Sequence, residues 1–436
     1  MSKTKAIAKT WTLAIIIIVI ALGAAGAYYY SIRAPTQQPK AAPVKIGAVL
    51  PLSGPLAQPG SDVRQGLELA VREINENGGV KSLGGANITV VYADSGSRPE
   101  QGAAEAERLI TDEKVTAIIG AYASALTKTV SEVCERYSVP CITGISTSVT
   151  LTQRGYKWFF RTTPHDNQFA PQHVEFANWL NQKYNKTISA VAIIHEDTDF
   201  GTASKDAWQA AFSGAGFPIV KIVSYHAATV TSLTSEVATL QATNPDLLLA
   251  ASYANDALLL LQAMKTLNFN PKVFLGQDSG FIQPSYTQQV GKDGYYVASR
   301  EVFANDLAQA IPKLAQVSQR YQTLYKVGLN GESAREYTAT WVVYYALEAA
   351  GKTARPANLE AFRTAIRDGL VNLKLTSDQL IMPWKGVQFD STGQNILGNG
   401  IIVQMMPDDG KYHTVYPESV AIKPLIFPFP SWTSRT

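Results

Sequence analysis

Cysteine, histidine and charge are all scarce in this chain of 436 residues, and each scarcity excludes something. The two cysteines, Cys134 and Cys141, form no CxxC pair, so a zinc site on thiolates is excluded. They sit in "VCERYSVPCI", one on an expected helix and one at the next strand. Buried free thiols are the favoured reading, and a disulfide in an oxidising compartment stays open. The 5 histidines are scattered with no HExxH, which leaves no metal site to nominate. Charged residues are 17%, net charge is +3, and no dense Lys/Arg block exists. Nucleic acid or a strongly acidic partner therefore has no electrostatic support. No P-loop lysine motif and no GxGxxG follow the first expected strand, so no cofactor is expected. What is present is core: 46% hydrophobic residues and 20 Tyr, enough for two or three domains or one bilobal unit.

The N-terminus speaks to compartment. "MSKTKAIAKT" carries lysines and no acid, and "WTLAIIIIVIALGAAGAYYY", Trp11 to Tyr30, carries no charge. That run has about the length of one helical bilayer crossing. Lysines on one side and a tyrosine cluster on the other fit a cytoplasmic start and an interfacial belt. An uncleaved anchor over 1–30 is expected, with a cleaved signal peptide as the rival, since "GAAGA" offers small residues for cleavage. Residues 31–43, "SIRAPTQQPKAAP", read as a tether. The body is expected outside the cytoplasm, and two Asn-x-Thr sequons, at Asn87 and Asn185, permit glycosylation there.

From Val44 the pattern alternates. "VKIGAVLP", "NITVVYAD", "VTAIIG" and "VPCITG" read as strands separated by helical segments. After "WFFRTTPHDN" the alternation restarts, with strands "ISAVAIIHED", "PIVKIVSYH", "DLLLAASY" and "KVFLG" between helices. The expected class is α/β: two doubly wound, Rossmann-like halves. Helices between Ile311 and Leu370 come late enough that the chain must cross between lobes more than once. Lobe 1 is expected over 44–162 and 300–388, lobe 2 over 163–299 and 389–416, with a Pro-rich tail over 417–436.

Ligands of such sheets bind beyond the C-terminal ends of the strands, where helix N-termini offer free N–H groups. Those ends carry Ser53; Tyr122 and Ser124; Ser146, Thr147 and Ser148; Phe200; Ser252 and Tyr253; and Asp278. Hydroxyls at helix starts suit a carboxylate, whereas aromatic rings and one acid suit an ammonium and an apolar body. A zwitterionic amino acid matches that split. Taken singly, Ser124 or Ser146 is more often a plain helix cap. "GQDSG" also fits a nucleophile elbow with Asp278 attacking and His413 as base. However, Pro284 follows closely and no HGGG-like oxyanion loop precedes it, so an enzyme is not expected.

The stretches "KIGAVLPLSGPLAQPGSDVRQGLELAVREINENGGV", "AIIGAYASALTKTVSEVCERYSVPCITG", "RGYKWFFRTT" and "PLIFPFPSW" resemble the branched-chain amino-acid-binding (Leu/Ile/Val-type) substrate-binding proteins of ABC transporters, over nearly all of 44–430. The resemblance implies the type I periplasmic-binding-protein fold, its two lobes joined by a multi-crossover hinge. It implies an extracytoplasmic protein that captures an amino acid, of branched-chain or hydrophobic type, by hinge closure. Delivery would be to an ABC permease driven by its ATPase subunits. It implies that Ser124 bonds the ligand carboxylate and that Thr147 contacts carboxylate and ammonium. Ile145 would present a backbone group, Tyr253 close from the second lobe, and Asp278 pair with the α-ammonium. The chain departs at Phe200, where Tyr is common, and at Pro59, where the leucine binder has an aromatic lining the side-chain pocket. Both departures bear on the ligand's side chain. The alternatives are a sensing ectodomain and a binder of an amide, urea or aromatic acid.

Overall fold

Short apolar runs end at glycine or proline and hand over to helices, and this grammar builds two separate sheets. The computed structural model describes residues 18–26, 41–185 and 187–435. The first sheet takes β1 (Val44–Leu50), β2 (Ile88–Asp94), β3 (Ile118–Gly120), β4 (Cys141–Thr143) and β5 (Phe159–Arg161), in the order β2-β1-β3-β4-β5. Every pairing in it is parallel. Its helices are α1 (Ala57–Glu76), α2 (Pro99–Thr111) and α3 (Ser124–Arg136). Strand β5 lies in "WFFR", where the sequence pattern marked only a break. Its apolar run, Trp158, Phe159 and Phe160 between Lys157 and Arg161, lacks the β-branched residues that mark "VTAIIG" and "VPCITG".

The chain then enters α4 (Asp166–Lys183) and a second sheet of β6 (Val191–Glu196), β7 (Ile219–Tyr225), β8 (Leu247–Ala251), β9 (Val273–Gln277), β10 (Ala298–Glu301), β13 (Ile401–Met405) and β14 (Tyr412–Tyr416). Their order is β14-β13-β10-β9-β8-β6-β7. Strands β6 to β10 pair in parallel, while β13 and β14 join antiparallel at the edge. Crossovers α5 (Asp199–Gly214), α6 (Thr234–Gln241), α7 (Ala254–Thr266) and α8 (Pro284–Val290) link the parallel strands. Fully buried on both faces, β8 and β9 read as continuous apolar runs, as parallel strands do.

Three late helices follow: α9 (Pro312–Tyr325), α10 (Gly331–Ala350) and α11 (Leu359–Val371). A two-stranded sheet of β11 (Leu375–Thr376) and β12 (Gly386–Val387) comes next. Helix α10 packs along α1 and onto β4, so it returns to the first sheet. The approach is close: a Cβ on Gly66 of α1 would lie 2.1 Å from the Ser333 carbonyl of α10.

The C-terminal stretch 417–435 is no free tail. Leu425 and Phe429 are buried against the second sheet's core. Gln404 exchanges hydrogen bonds with Ile426, and Phe429 N–H donates to the Lys272 carbonyl. Its prolines suggested only an extended tail, and its aromatic and aliphatic residues tie it down instead.

The expected anchor over 1–30 lies outside the described residues except for 18–26, which are helical. Among the described residues no helix is long and apolar enough to cross a membrane. Asn185 is exposed and Asn87 half-buried. Cys134 and Cys141 are free and buried, and burial pushes the Cys134 thiol well up, reinforced by its hydrogen bond to Cys141.

Candidate functional site

Five loops at strand C-termini and the first turn of α10 converge on one small, partly open pocket. Its wall contains eight of the residues read from the sequence: Tyr122, Ser124, Ile145, Ser146, Thr147, Phe200, Tyr253 and Asp278, but not Ser148 or Ser252. Ala123, Ser279, Glu332 and Arg335 complete it. Ser53 and Pro59 are not in the wall; the β1 loop instead folds onto Asp94, which accepts from the Leu52 and Ser53 N–H groups.

The first-sheet side is a hydroxyl-lined helix start. Helix α3 begins at Ser124, and its N-cap residue Ala123 has no side chain to satisfy the first-turn N–H groups. Ser124 is therefore not the cap that a bland reading makes it. Its Oγ accepts from Ser148 N–H at 3.3 Å, which leaves its own proton free to donate. Ser146 is used internally: its hydroxyl donates to the Tyr122 carbonyl at 2.7 Å and lies 2.6 Å from Thr127 Oγ1. Thr147 differs from both. It is 3% exposed, and its Oγ1 has no hydrogen-bond partner among the described residues. A buried hydroxyl without a partner is uncommon and calls for a reason.

The loop that presents Thr147 is pinned from behind. Arg161, fully buried at the end of β5, donates to the Ser146 and Ser148 carbonyls at 3.2 and 2.6 Å, and to Gln394 and Thr152. Tyr122 holds φ at +87° though it is no glycine. Such backbone conformations persist where surroundings enforce them, often at binding sites. The turn carries its hydroxyl to within 3.4 Å of Glu332 Oε1.

The second-sheet side supplies rings and charge. Phe200, in the first turn of α5, packs against Tyr253 with centroids 5.5 Å apart. Burial pushes the Tyr253 hydroxyl well above its ordinary range, so it stays neutral. Asp278 sits at φ +47°, ψ −131°, followed by a 3-10 turn over Ser279–Phe281. The glycines of "GQDSG" make room for that bend. A Cβ on Gly276 would lie 2.5 Å from the Phe281 ring, and one on Gly280 2.4 Å from the Tyr253 backbone.

Asp278 was expected to offer a free carboxylate, and the structure places it differently. Its Oδ2 accepts from Arg300 Nη1 at 2.5 Å and Arg335 Nη1 at 2.7 Å. Its Oδ1 accepts from Arg335 Nη2 at 3.2 Å and from Ser279 N–H. Burial opposes its ionisation, but the Arg335 and Arg300 guanidiniums outweigh that and hold the carboxyl below its ordinary value. Arg300 also stacks 3.9 Å above the Phe169 ring. His413, the base of the elbow alternative, pairs instead with Asp409 and Asp306.

Sequence reasoning missed Glu332 and Arg335. Glu332 Oε2 accepts from Arg335 Nη2 at 2.7 Å, and Oε1 from Gln283 Nε2 at 3.0 Å. Burial pushes Glu332 up to about 8 against the pull of Arg335, and burial with the Asp278 charge pushes Glu301 up to about 7. Behind them Glu336, buried without a side-chain partner, is pushed to about 8. "NGESARE" held a signal: three charged residues within five positions, all buried on one helix, are rarely buried without a task.

These acids set a pH dependence of stability. Their native pKa values lie above the ordinary 4.5, so native protein keeps protons that the unfolded chain has already lost. Stability then falls as pH rises towards 8. His165 and His173, pushed down by burial to about 4 and about 3, act only below about pH 6.5. The ligand-free protein should unfold several degrees lower at pH 8.5 than at pH 6.5 in calorimetry at fixed ionic strength. An equal or higher midpoint at pH 8.5 would mean the acids are ionised in the native state.

With this geometry established, the relatives agree on class. The profile described as "Periplasmic binding protein" matches residues 43–394, and the chain belongs to that family. Leu/Ile/Val-binding protein homolog 7 of Brucella suis is 29% identical over 399 residues, covering 89% of this chain and 95% of the relative. Two solved structures share the fold. The branched-chain amino acid transporter substrate-binding protein LivJ of Streptococcus pneumoniae, in complex with isoleucine, superposes with TM-score 0.70 at 21% identity, covering 86% of this chain and all of that one. An ABC transporter solute-binding protein of R. palustris, in complex with benzoate, superposes with TM-score 0.71 at 18% identity, covering 86% and 95%. The chain is accordingly a type I periplasmic binding protein, a substrate-binding protein and not an enzyme.

Proposed function

We propose that the chain is the extracytoplasmic capture subunit of an ABC importer, and that its cargo is an amino acid of branched-chain or hydrophobic type. The observation that carries the ligand class is the unpartnered Thr147 hydroxyl beside the uncapped start of α3. Together with Ser124 they form a recess of donors suited to a carboxylate. Phe200 and Tyr253 face it from the second sheet and suit an apolar body. The strand and helix memberships support lobes over 44–162 with 300–388 and over 163–299 with 389–416. Lobe-to-lobe contacts border the cavity: Lys128 on α3 meets Asp199 on α5 at 3.0 Å, and Arg335 on α10 meets Asp278 beyond β9. They support capture by closure, with release to a permease in the membrane.

One observation favours a second reading, an aromatic acid without an ammonium: the lone pairs of Asp278 are already taken by Arg300, Arg335 and Ser279. Calorimetric titration of the purified body with leucine, isoleucine, valine, phenylalanine, benzoate and 4-hydroxybenzoate separates the two. An amino acid is expected to bind and the benzoates to fail. Benzoate binding with no response to any amino acid would refute the amino-acid reading.

A further inference from the structure

Counting charge around the cavity shows that its wall cannot yet attract a cation. Two buried guanidiniums, Arg300 and Arg335, face one committed carboxylate, Asp278. A second negative charge brings the group to neutrality, so that an arriving ammonium no longer meets net positive charge. Glu301 and Glu332 are the candidates, and they are not equivalent. Glu301 turns its Oε2 onto the Val302 and Phe303 N–H groups and is absent from the cavity wall. Glu332 lines the wall, and its carboxyl is less fully engaged than that of Asp278: one firm donor on each oxygen, with Tyr122 OH at a long 3.4 Å.

We propose that Glu332 is the side chain that meets the ligand's ammonium, and that it gives up a proton as it does so. This rests on the reading of the ligand as an amino acid. The groups facing Glu332 are Arg335 on its own helix, Asp278 from the β9 turn, Glu301 at the end of β10, Asp62 on α1 and the Tyr122 hydroxyl from the β3 loop. Of the charged groups only Arg335 favours its ionisation, the Tyr122 hydroxyl adds a long hydrogen bond, and Arg335 is shared with Asp278. Burial holds the free carboxyl near 8, so at neutral pH it is mostly protonated. An incoming ammonium supplies the missing positive partner, and the proton leaves to solvent. Ligands with and without an ammonium are then told apart by a proton as well as by shape.

The test titrates wild-type protein and Glu332→Gln with L-leucine, L-isoleucine, L-valine and L-phenylalanine, and with the deaminated carboxylate of whichever binds tightest (4-methylpentanoate for leucine). Calorimetry at pH 6 and pH 8, in buffers of different ionisation enthalpy, counts protons. Wild type should release about one proton per amino acid at pH 6 and none with the deaminated acid. Its amino-acid affinity should rise by up to about tenfold per pH unit below pH 8. Glu332→Gln should lose roughly tenfold or more for the amino acid and little for the deaminated acid. If Glu332→Gln fails to fold, the wild-type proton count decides alone. Amino-acid binding without proton release, and equal at both pH values, would overturn the proposal while leaving the proposed function intact. Binding of a benzoate in place of every amino acid would remove both.

Discussion

Replacing Asp278 by asparagine should lower the stability of the protein by about 3–5 kcal/mol, the range for breaking one partner out of a buried ion pair. The residue is 3% exposed, and Arg300 and Arg335 are each 1% exposed, so neither guanidinium can turn to water once its partner is lost. Arg300 is the more vulnerable: its Nε and Nη2 already lack partners, and Asp278 takes its one ion pair. Asparagine keeps the volume and tolerates the positive φ at this position, so the loss isolates charge from shape. In a thermal melt the midpoint should fall by about 3–6 °C. Pairing Asp278→Asn with Arg335→Met should recover part of the loss, because one orphaned cation is removed along with its partner. A midpoint within about 2 °C of wild type, with ligand binding abolished, would show instead that Asp278 is a free ligand group, as the sequence suggested. Any binding assay of this variant must therefore be read beside its stability.

How much was legible follows from where information sits in the chain. Ser124, Thr147, Phe200, Tyr253 and Asp278 could be named because strand ends are local features, and a doubly wound sheet brings its strand ends together by topology alone. The two-sheet division was legible for the same reason. The wall's remaining charges were not: Glu332 meets Tyr122 across 210 positions and Arg335 meets Asp278 across 57. No period or motif encodes such meetings. Helix α10 hides them further, since it is buried around most of its circumference and has no polar stripe to mark a functional face. Asp278 shows the cost. An acid at a strand end was correctly placed in the cavity wall, yet its electrostatic state depends on two arginines that no local pattern ties to it. Strand β5 was missed because charged residues close its short apolar run on both sides, without the β-branched residues that mark β3 and β4, and with it the Arg161 clamp behind the Thr147 loop.

Replacing Thr147 by valine should have the opposite profile to Asp278→Asn: a large loss of affinity with stability unchanged or slightly raised. The hydroxyl has no partner among the described residues, so its removal breaks no bond seen there and relieves one buried, unsatisfied group. Valine keeps the β-branched shape that the loop after β4 accommodates. What disappears is a donor to the ligand's carboxylate, and a hydrogen bond to a charged group is worth about 1.5–3 kcal/mol. Affinity for the tightest-binding carboxylate ligand should drop roughly 10–150-fold, with the melting midpoint of the free protein held or raised. Ser146→Ala supplies the contrast one position away in the same wall. Its hydroxyl ties Tyr122 to Thr127, so that variant should lose stability before affinity. Titration calorimetry and a thermal melt on both variants separate the roles. A dissociation constant within about twofold of wild type for Thr147→Val would leave the carboxylate to the α3 backbone and Ser124 alone, since a donor that costs less than about 0.5 kcal/mol to delete was not carrying the charge.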